Sequence, residues 1–224
     1  MGEFQTITAS DGFALNAYVA RPASQPKGGV VVVQEVWGVN HWVRSVADQY
    51  AAEGYLAVAP AMFDRIEHGY QSEDYSDRQF LIIRPMLAQF NADTALLDVA
   101  AAVALAADGG KVGITGFCFG GMMTWRAAHA GLGLACGSGY YGGGIPNYIG
   151  LAPTIPLEMH FGDRDSGIPN EQVADLKAQH PLVDIHMYPA EHGFCNADRP
   201  ERFDPAAAAL AHQRSLAFFG QYLA

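Results

Sequence analysis

Apolar and polar residues alternate from Phe4 to Thr8 and again from Phe13 to Ala20, around an Asp11-Gly12 pair that signals a hairpin. The run from Gly29 through four valines to Trp37 is unbroken and β-branched, the pattern of a strand buried on both faces. A helical stretch follows from about His41 to Glu53 and stops at Gly54, and Tyr55 to Ala59 is a further strand ended by Pro60. Asn91 to Ala107 is rich in Ala and Leu and predicts a helix closed by Gly109-Gly110. Beyond it, strands are expected at Lys111–Phe117, Leu134–Tyr140, Ile155–Phe161 and Val183–Tyr188, and helices at Gly120–Ala130, Pro169–Gln179 and Pro205–Tyr222. Strands alternating with helices imply a mostly parallel sheet covered on both faces, in one α/β domain spanning residues 1–224. Met62 to Arg84 shows no clean period and reads as loops.

Charge and length narrow what such a domain can do. Thirteen basic against 23 acidic residues give a net charge of −10 in 224 residues, and no Lys/Arg cluster offsets it, so nucleic acid is not an expected partner. The longest strongly apolar runs, such as Ala95 to Ala107, fall short of the ~18–20 residues that span a bilayer, and no membrane role is expected. The first ten residues, MGEFQTITAS, lack the basic and apolar regions of a secretory signal. Cys118, Cys136 and Cys195 form no CxxC pair, which argues against a disulfide scaffold or a structural zinc site and for a reducing, cytoplasmic setting.

The segment Lys111 to Met122 carries the most chemistry. An expected strand runs into Gly116-Phe117-Cys118-Phe119-Gly120, and an expected helix opens at once. This is a G-x-nucleophile-x-G elbow with cysteine as the nucleophile. The turn is sharp enough to strain the nucleophile's backbone, which is why small residues flank it. The helix N-terminus favours negative charge on the sulfur, and the N–H of Phe119 is positioned to stabilise an oxyanion.

A thiol nucleophile needs a base, and the base needs an orienting acid. After the strand ending at Phe161 comes Gly162-Asp163-Arg164-Asp165-Ser166-Gly167-Ile168-Pro169, and after the last strand comes Glu191-His192-Gly193-Phe194. An acid-bearing loop and a histidine-bearing loop thus follow the elbow in the order nucleophile, acid, histidine. Asp165 and Asp163 are both candidates for the acid. His160 and His186 fall within strands, and His41, His129, His180 and His212 fall on or near helices; His68, in the stretch without a clean period, precedes the elbow, which leaves His192 as the base.

Four ordered motifs resemble the dienelactone hydrolase family, a cysteine-dependent branch of the α/β hydrolases. They are Gln34 to Asn40, Gly116 to Gly121, Gly162 to Pro169, and Glu191 to Phe194. The resemblance implies an α/β-hydrolase fold and a triad of Cys118, Asp165 and His192, with Asp163 left to shape its turn. It implies that Glu35 interacts with the cysteine at rest and helps make the thiolate when substrate binds. It also implies that the Val36 N–H is the second oxyanion donor, and that neither metal nor organic cofactor is required. Family members acting on dienelactone hold its carboxylate with two arginines. One would stand four residues after the catalytic histidine, where this chain has Asn196; the other corresponds to Arg78 or Arg84, with Arg78 the better fit in spacing. Trp37, Arg78, Phe194 and Asn196 are the expected substrate contacts.

The expected activity is hydrolysis of a small-molecule ester or lactone by a monomer or weak homo-oligomer. The same residues would serve a thioester or activated-amide hydrolase or an acyltransferase, and a catalytically silent ligand-binding relic is the reading from outside enzymology. Asn196 lacks the bidentate charge of a guanidinium, so neutral, hydrophobic substrates are expected over a dienelactone carboxylate.

Overall fold

The computed structural model describes Gly2–Ala224 and divides into two compact units that meet in sequence at Val112 and Gly113. The first unit holds strands β1 (Glu3–Thr8), β2 (Ala14–Ala20), β3 (Gly29–Val33) and β4 (Leu56–Pro60). It also holds helices α1 (His41–Ala52), α2 (Asp77–Gln89) and α3 (Ala92–Ala106). Its strands lie in the order β1-β2-β4-β3; β1 and β2 are antiparallel, β2 is antiparallel to β4, and β3 runs parallel to β4. The valines of β3 are wholly buried, as an unbroken apolar strand requires.

The second unit is built on β5 (Val112–Phe117), β6 (Leu134–Tyr140), β7 (Leu157–Gly162) and β8 (Asp184–Tyr188), with α4 (Phe119–Ala130), α5 (Asn170–Gln179) and α6 (Pro205–Leu223). Strands β6, β7 and β8 are parallel neighbours. Parallel strands put their C-terminal ends on one edge, so the loops after β6, β7 and β8 gather there.

Two sequence expectations are corrected. Strand β3 stops at Val33, Gln34 and Glu35 leave the strand and Val36-Trp37 turn, and the Gln34 side-chain oxygen accepts the Met62 N–H at 3.1 Å. Helix α2 begins within the stretch read as loops and runs beyond it, capped by Ser76, whose hydroxyl accepts the Gln79 N–H at 3.2 Å. Its apolar positions hide the helix, because only Ile83 and Met86 are buried while Leu81 and Ile82 face solvent, and Pro85 lies inside it. The Ser76-x-x-Gln79 spacing is a capping-box signal that marks its start.

The Gln34–Asn40 motif is fastened to the polar stretch within the first unit. The Asn40 side chain caps α1 at Val43 and donates to Ser72 O at 2.9 Å and Tyr75 Oη at 2.8 Å. Trp37 O accepts the Ser72 N–H at 2.9 Å, and the Trp37 ring meets Tyr75 edge-on at 5.4 Å.

Candidate active site

Strand β5 enters Cys118 and α4 begins at the next residue, so the chain reverses within one residue. Cys118 pays for that turn with φ 54° and ψ −111°, a conformation outside the regions open to an L-residue without strain. Neighbouring backbone holds it there. The Cys118 N–H donates to Tyr140 O at 3.0 Å, and its carbonyl accepts Gly121 N–H at 3.0 Å and Met122 N–H at 3.2 Å. Gly116 is required because a Cβ there would stand 2.2 Å from the Gly120 carbonyl oxygen.

The loops after β7 and β8 are laced by backbone: Asp163 N–H donates to Tyr188 O at 2.8 Å and Arg164 N–H to Ala190 O at 3.0 Å. The lacing brings His192 Nδ1 to 2.7 Å from Asp165 Oδ2. The other Asp165 oxygen accepts the Gly167 N–H at 2.8 Å, which fixes the carboxylate plane. Asp165 is shut off from solvent, while the His192 side chain keeps 27% of its surface exposed. Burial works against charge on His192, but the Cys118 sulfur, by charge and hydrogen bond, and the Asp165 carboxylate outweigh it and lift the imidazole to about 10. The Tyr141 ring backs the imidazole at 5.1 Å. The Cys118 sulfur and the buried Asp165 carboxylate thus both act on the one imidazole.

The remaining sequence candidates fall into different surroundings. Asp163 is half exposed and lies 4.0 Å from Arg164, away from the imidazole contact that Asp165 makes. Glu35, Val36 and Trp37 are buried in the turn after β3. Phe119 is the first residue of α4. Phe194 is fully buried between Tyr141 and Tyr188, and Asn196 is fully buried with its side-chain oxygen on the Asp198 N–H at 3.0 Å. Both help build the loop that carries His192. Arg78 is exposed in the first turn of α2, and Arg199 pairs with Glu201 at 3.1 Å. Burial and then the nearby Glu158 charge push Cys136 up to about 12, leaving it a poor nucleophile. Among the described residues no cluster of three or more His, Cys, Asp or Glu could hold a metal ion, and no single helix is long and apolar enough to cross a membrane.

Sequence reasoning missed Tyr140 and Tyr141, which touch Cys118 and His192 through backbone and ring. It also missed a buried polar group around Glu158 and His160. The period-two spacing of Ser138 and Tyr140, and of Glu158 and His160, on adjacent strands is the signal that could have found it.

The sequence profile of the dienelactone hydrolase family matches residues 15–223. The carboxymethylenebutenolidase of Pseudomonas putida is 29% identical over 95% of this chain and 94% of its own length. A relative from Azospirillum brasilense that carries the same enzyme name provisionally is 34% identical over 97% of this chain and 98% of its own. A crystal structure from Klebsiella pneumoniae, provisionally named a dienelactone hydrolase, superposes with a TM-score of 0.84 at 29% identity, covering 98% of this chain and 100% of that one. With the α/β architecture and a profile match over nearly its whole length, the chain belongs to the dienelactone hydrolase family of hydrolases.

Proposed function

We propose that this protein hydrolyses carboxylic esters or lactones through Cys118, His192 and Asp165. The observation that carries the reading is the His192 imidazole, joined to Asp165 on one side at 2.7 Å and to the Cys118 sulfur on the other. An imidazole lifted well above its ordinary range is a positive partner for the sulfur once that sulfur takes on charge. In the first half-reaction the sulfur attacks the carbonyl carbon and a C–S bond forms. The tetrahedral oxyanion is stabilised by the Phe119 N–H at the start of α4. Its collapse breaks the C–O bond, and the departing alkoxide takes the proton from His192. In the second half His192 takes a proton from water as the oxygen attacks the thioester. The C–S bond then breaks, returning thiolate and imidazolium. Asp165 holds the imidazole in the tautomer with hydrogen on Nδ1 and supports its charged form throughout.

The family motif adds Glu35 as the residue that governs thiol ionisation and the Val36 N–H as a second oxyanion donor; both assignments rest on sequence resemblance. The profile match runs through both compact units, which supports reading residues 1–224 as one domain. We infer a reducing, cytoplasmic setting and a monomer or weak homo-oligomer. Neutral or weakly charged substrates are the inferred class, since Asn196 stands at the family's arginine position and is buried in its own loop. The test is Cys118→Ala: ester and lactone turnover should be lost, and mass spectrometry of the parent under substrate should trap an acyl group on the Cys118 peptide. Unchanged turnover in Cys118→Ala would sink the reading.

A further inference from the structure

Beneath the candidate site, the second unit buries a chain of polar groups that the proposed chemistry does not use. Ser138 and Tyr140 on β6, Glu158 and His160 on β7 and His186 on β8 lie on one face of the parallel strands. Ser215 of α6 packs against them. Glu158, His160, Ser138 and Ser215 are each at most 2% exposed, and Tyr140 is 1% exposed. Unshared polar groups at such depth are costly, so their hydrogen bonds have to be accounted for in full.

The directions of these bonds follow from chemistry. An ionised carboxylate only accepts and a guanidinium only donates. Glu158 Oε1 therefore accepts the Ser138 hydroxyl at 2.8 Å. The Ser138 oxygen, its own proton committed, accepts from Ser215 at 2.6 Å, and the Ser215 oxygen in turn accepts from the Tyr140 hydroxyl at 2.6 Å. On the other branch Arg214 donates to Tyr188 Oη at 3.0 Å, which leaves the phenol proton for His160 Nδ1 at 2.8 Å. His160 is then protonated on Nε2, which faces Glu158 Oε1 at 3.1 Å and the two serine oxygens at 3.2 Å. Both branches are one-way donor chains ending on one buried carboxylate. Their consistency leaves Tyr140 a single hydroxyl orientation on the Ser215 side.

Tyr140 is also where the chain meets the nucleophile. Its ring stacks on His160 at 4.5 Å on one side and on Phe117 at 4.6 Å on the other, and Phe117 directly precedes Cys118. Its carbonyl accepts the strained Cys118 amide at 3.0 Å. The next residue, Tyr141, is itself held at φ 36°, its N–H on His160 O at 2.8 Å and its ring at 5.1 Å from His192. Two strained non-glycine residues are thus anchored through one buried cluster.

We propose that the buried donor chain from Tyr140 through Ser215 and Ser138 to Glu158 is a positioning device for the nucleophile, holding the end of β6 in the one conformation that fixes the Cys118 elbow and backs the His192 ring. The inference rests on Cys118 being the nucleophile. Ser138, Ser215, Tyr140 and Glu158 are positioning residues, since each acts on Cys118 or His192 only through the end of β6.

The test uses Tyr140→Phe, which keeps both ring stacks and removes one oxygen, together with Ser215→Ala, the double variant, and Ser215→Thr as the variant that restores a hydroxyl. The primary readout is the rate of Cys118 alkylation by iodoacetamide against pH, followed on the Cys118 peptide by mass spectrometry. Each single variant should slow alkylation about three- to tenfold, the range of one net hydrogen bond, and displace its pH profile. The double variant should be no slower than the slower single one, because both lesions cut the same chain. Ser215→Thr should recover the parent rate, and ester kcat should fall with KM unchanged. Folded variants with parental alkylation profiles would overturn the proposal, as would additive effects in the double variant. Failure of both single variants to fold would also overturn it, assigning the chain to fold stability alone. Alkylation reads the cysteine without ester turnover, so this result is separable from the Cys118→Ala test of the function itself.

Discussion

Asp165 Oδ2 lies 2.7 Å from His192 Nδ1 although 27 residues separate the two in sequence, and the carboxylate that makes this contact is sealed from solvent. Gly167 N–H holds its second oxygen at 2.8 Å, so the acid has no freedom to turn away from the imidazole. In Asp165→Asn the amide offers a neutral oxygen or a competing donor, and the imidazole loses both its tautomer and its counter-charge. We expect kcat to fall about 10²- to 10⁴-fold. Asp163→Asn, altering a half-exposed carboxylate without that contact, should leave kcat near the parent value. Steady-state kinetics on an aryl ester decides between them, and equal losses would show that the wrong acid has been assigned.

Strain at Cys118 should be measurable as stability. Its φ of 54° suits glycine far better than any residue with a Cβ. Cys118→Gly and Cys118→Ala should both be inactive, but the glycine variant should be the more stable by about 1 kcal/mol, after allowing for the greater entropy of glycine in the unfolded chain. Urea denaturation of the pair checks this. An alanine variant as stable as the glycine variant would mean that the elbow stores no strain.

Acid should destabilise the second unit in two stages. Burial keeps His160 neutral in the fold, below its ordinary value of 6.5, so the unfolded chain takes up that proton first and stability falls as pH drops below this point. Burial opposes charge on Glu158 too, yet hydrogen bonds from His160 and His186 and from the Ser138 hydroxyl hold it down to about 2, against an ordinary 4.5. A depressed carboxylate contributes fully above its unfolded value and loses that contribution as pH falls from 4.5 toward about 2. Glu158→Gln should therefore cost about 1–3 kcal/mol near neutrality, and the gap to the parent should narrow below pH 4.5. Urea midpoints of both proteins from pH 7 to pH 3 test this; a gap that stays constant contradicts the assignment.

Substrate charge follows from where the arginines lie. Arg78 is exposed on α2, Arg199 is paired with Glu201, and Asn196 is committed to Asp198. With a net charge of −10 as well, a carboxylated lactone should have no more than about a threefold advantage in kcat/KM over its neutral counterpart. Arg78→Ala and Arg199→Ala should leave that ratio nearly unchanged. A tenfold preference for the anion that disappears in Arg78→Ala would reverse the conclusion.

Much of this architecture was written locally in the chain. Buried strands need unbroken apolar runs, helices need caps and a period, and a strand-to-helix reversal needs Gly116 beside Cys118, so each leaves a mark within a few residues. The order of elbow, acid loop and histidine loop was legible for the same reason. Helix α2 was not, because most of its apolar residues face solvent and Pro85 interrupts the pattern. The choice between Asp163 and Asp165 could not be made from residue type, since two carboxylates in one turn differ only in which way the folded loop aims them. The packing of Phe194 against Tyr141 and Tyr188, and the bond of Asn196 to Asp198, likewise join residues whose partners the local sequence does not name. The deepest example is the bond between Ser138 and Ser215, 77 residues apart: each serine alone is an ordinary polar residue. Local patterns determine which elements form, whereas the direction of a buried hydrogen bond depends on which distant donor and acceptor the fold brings face to face, and that only the tertiary structure decides.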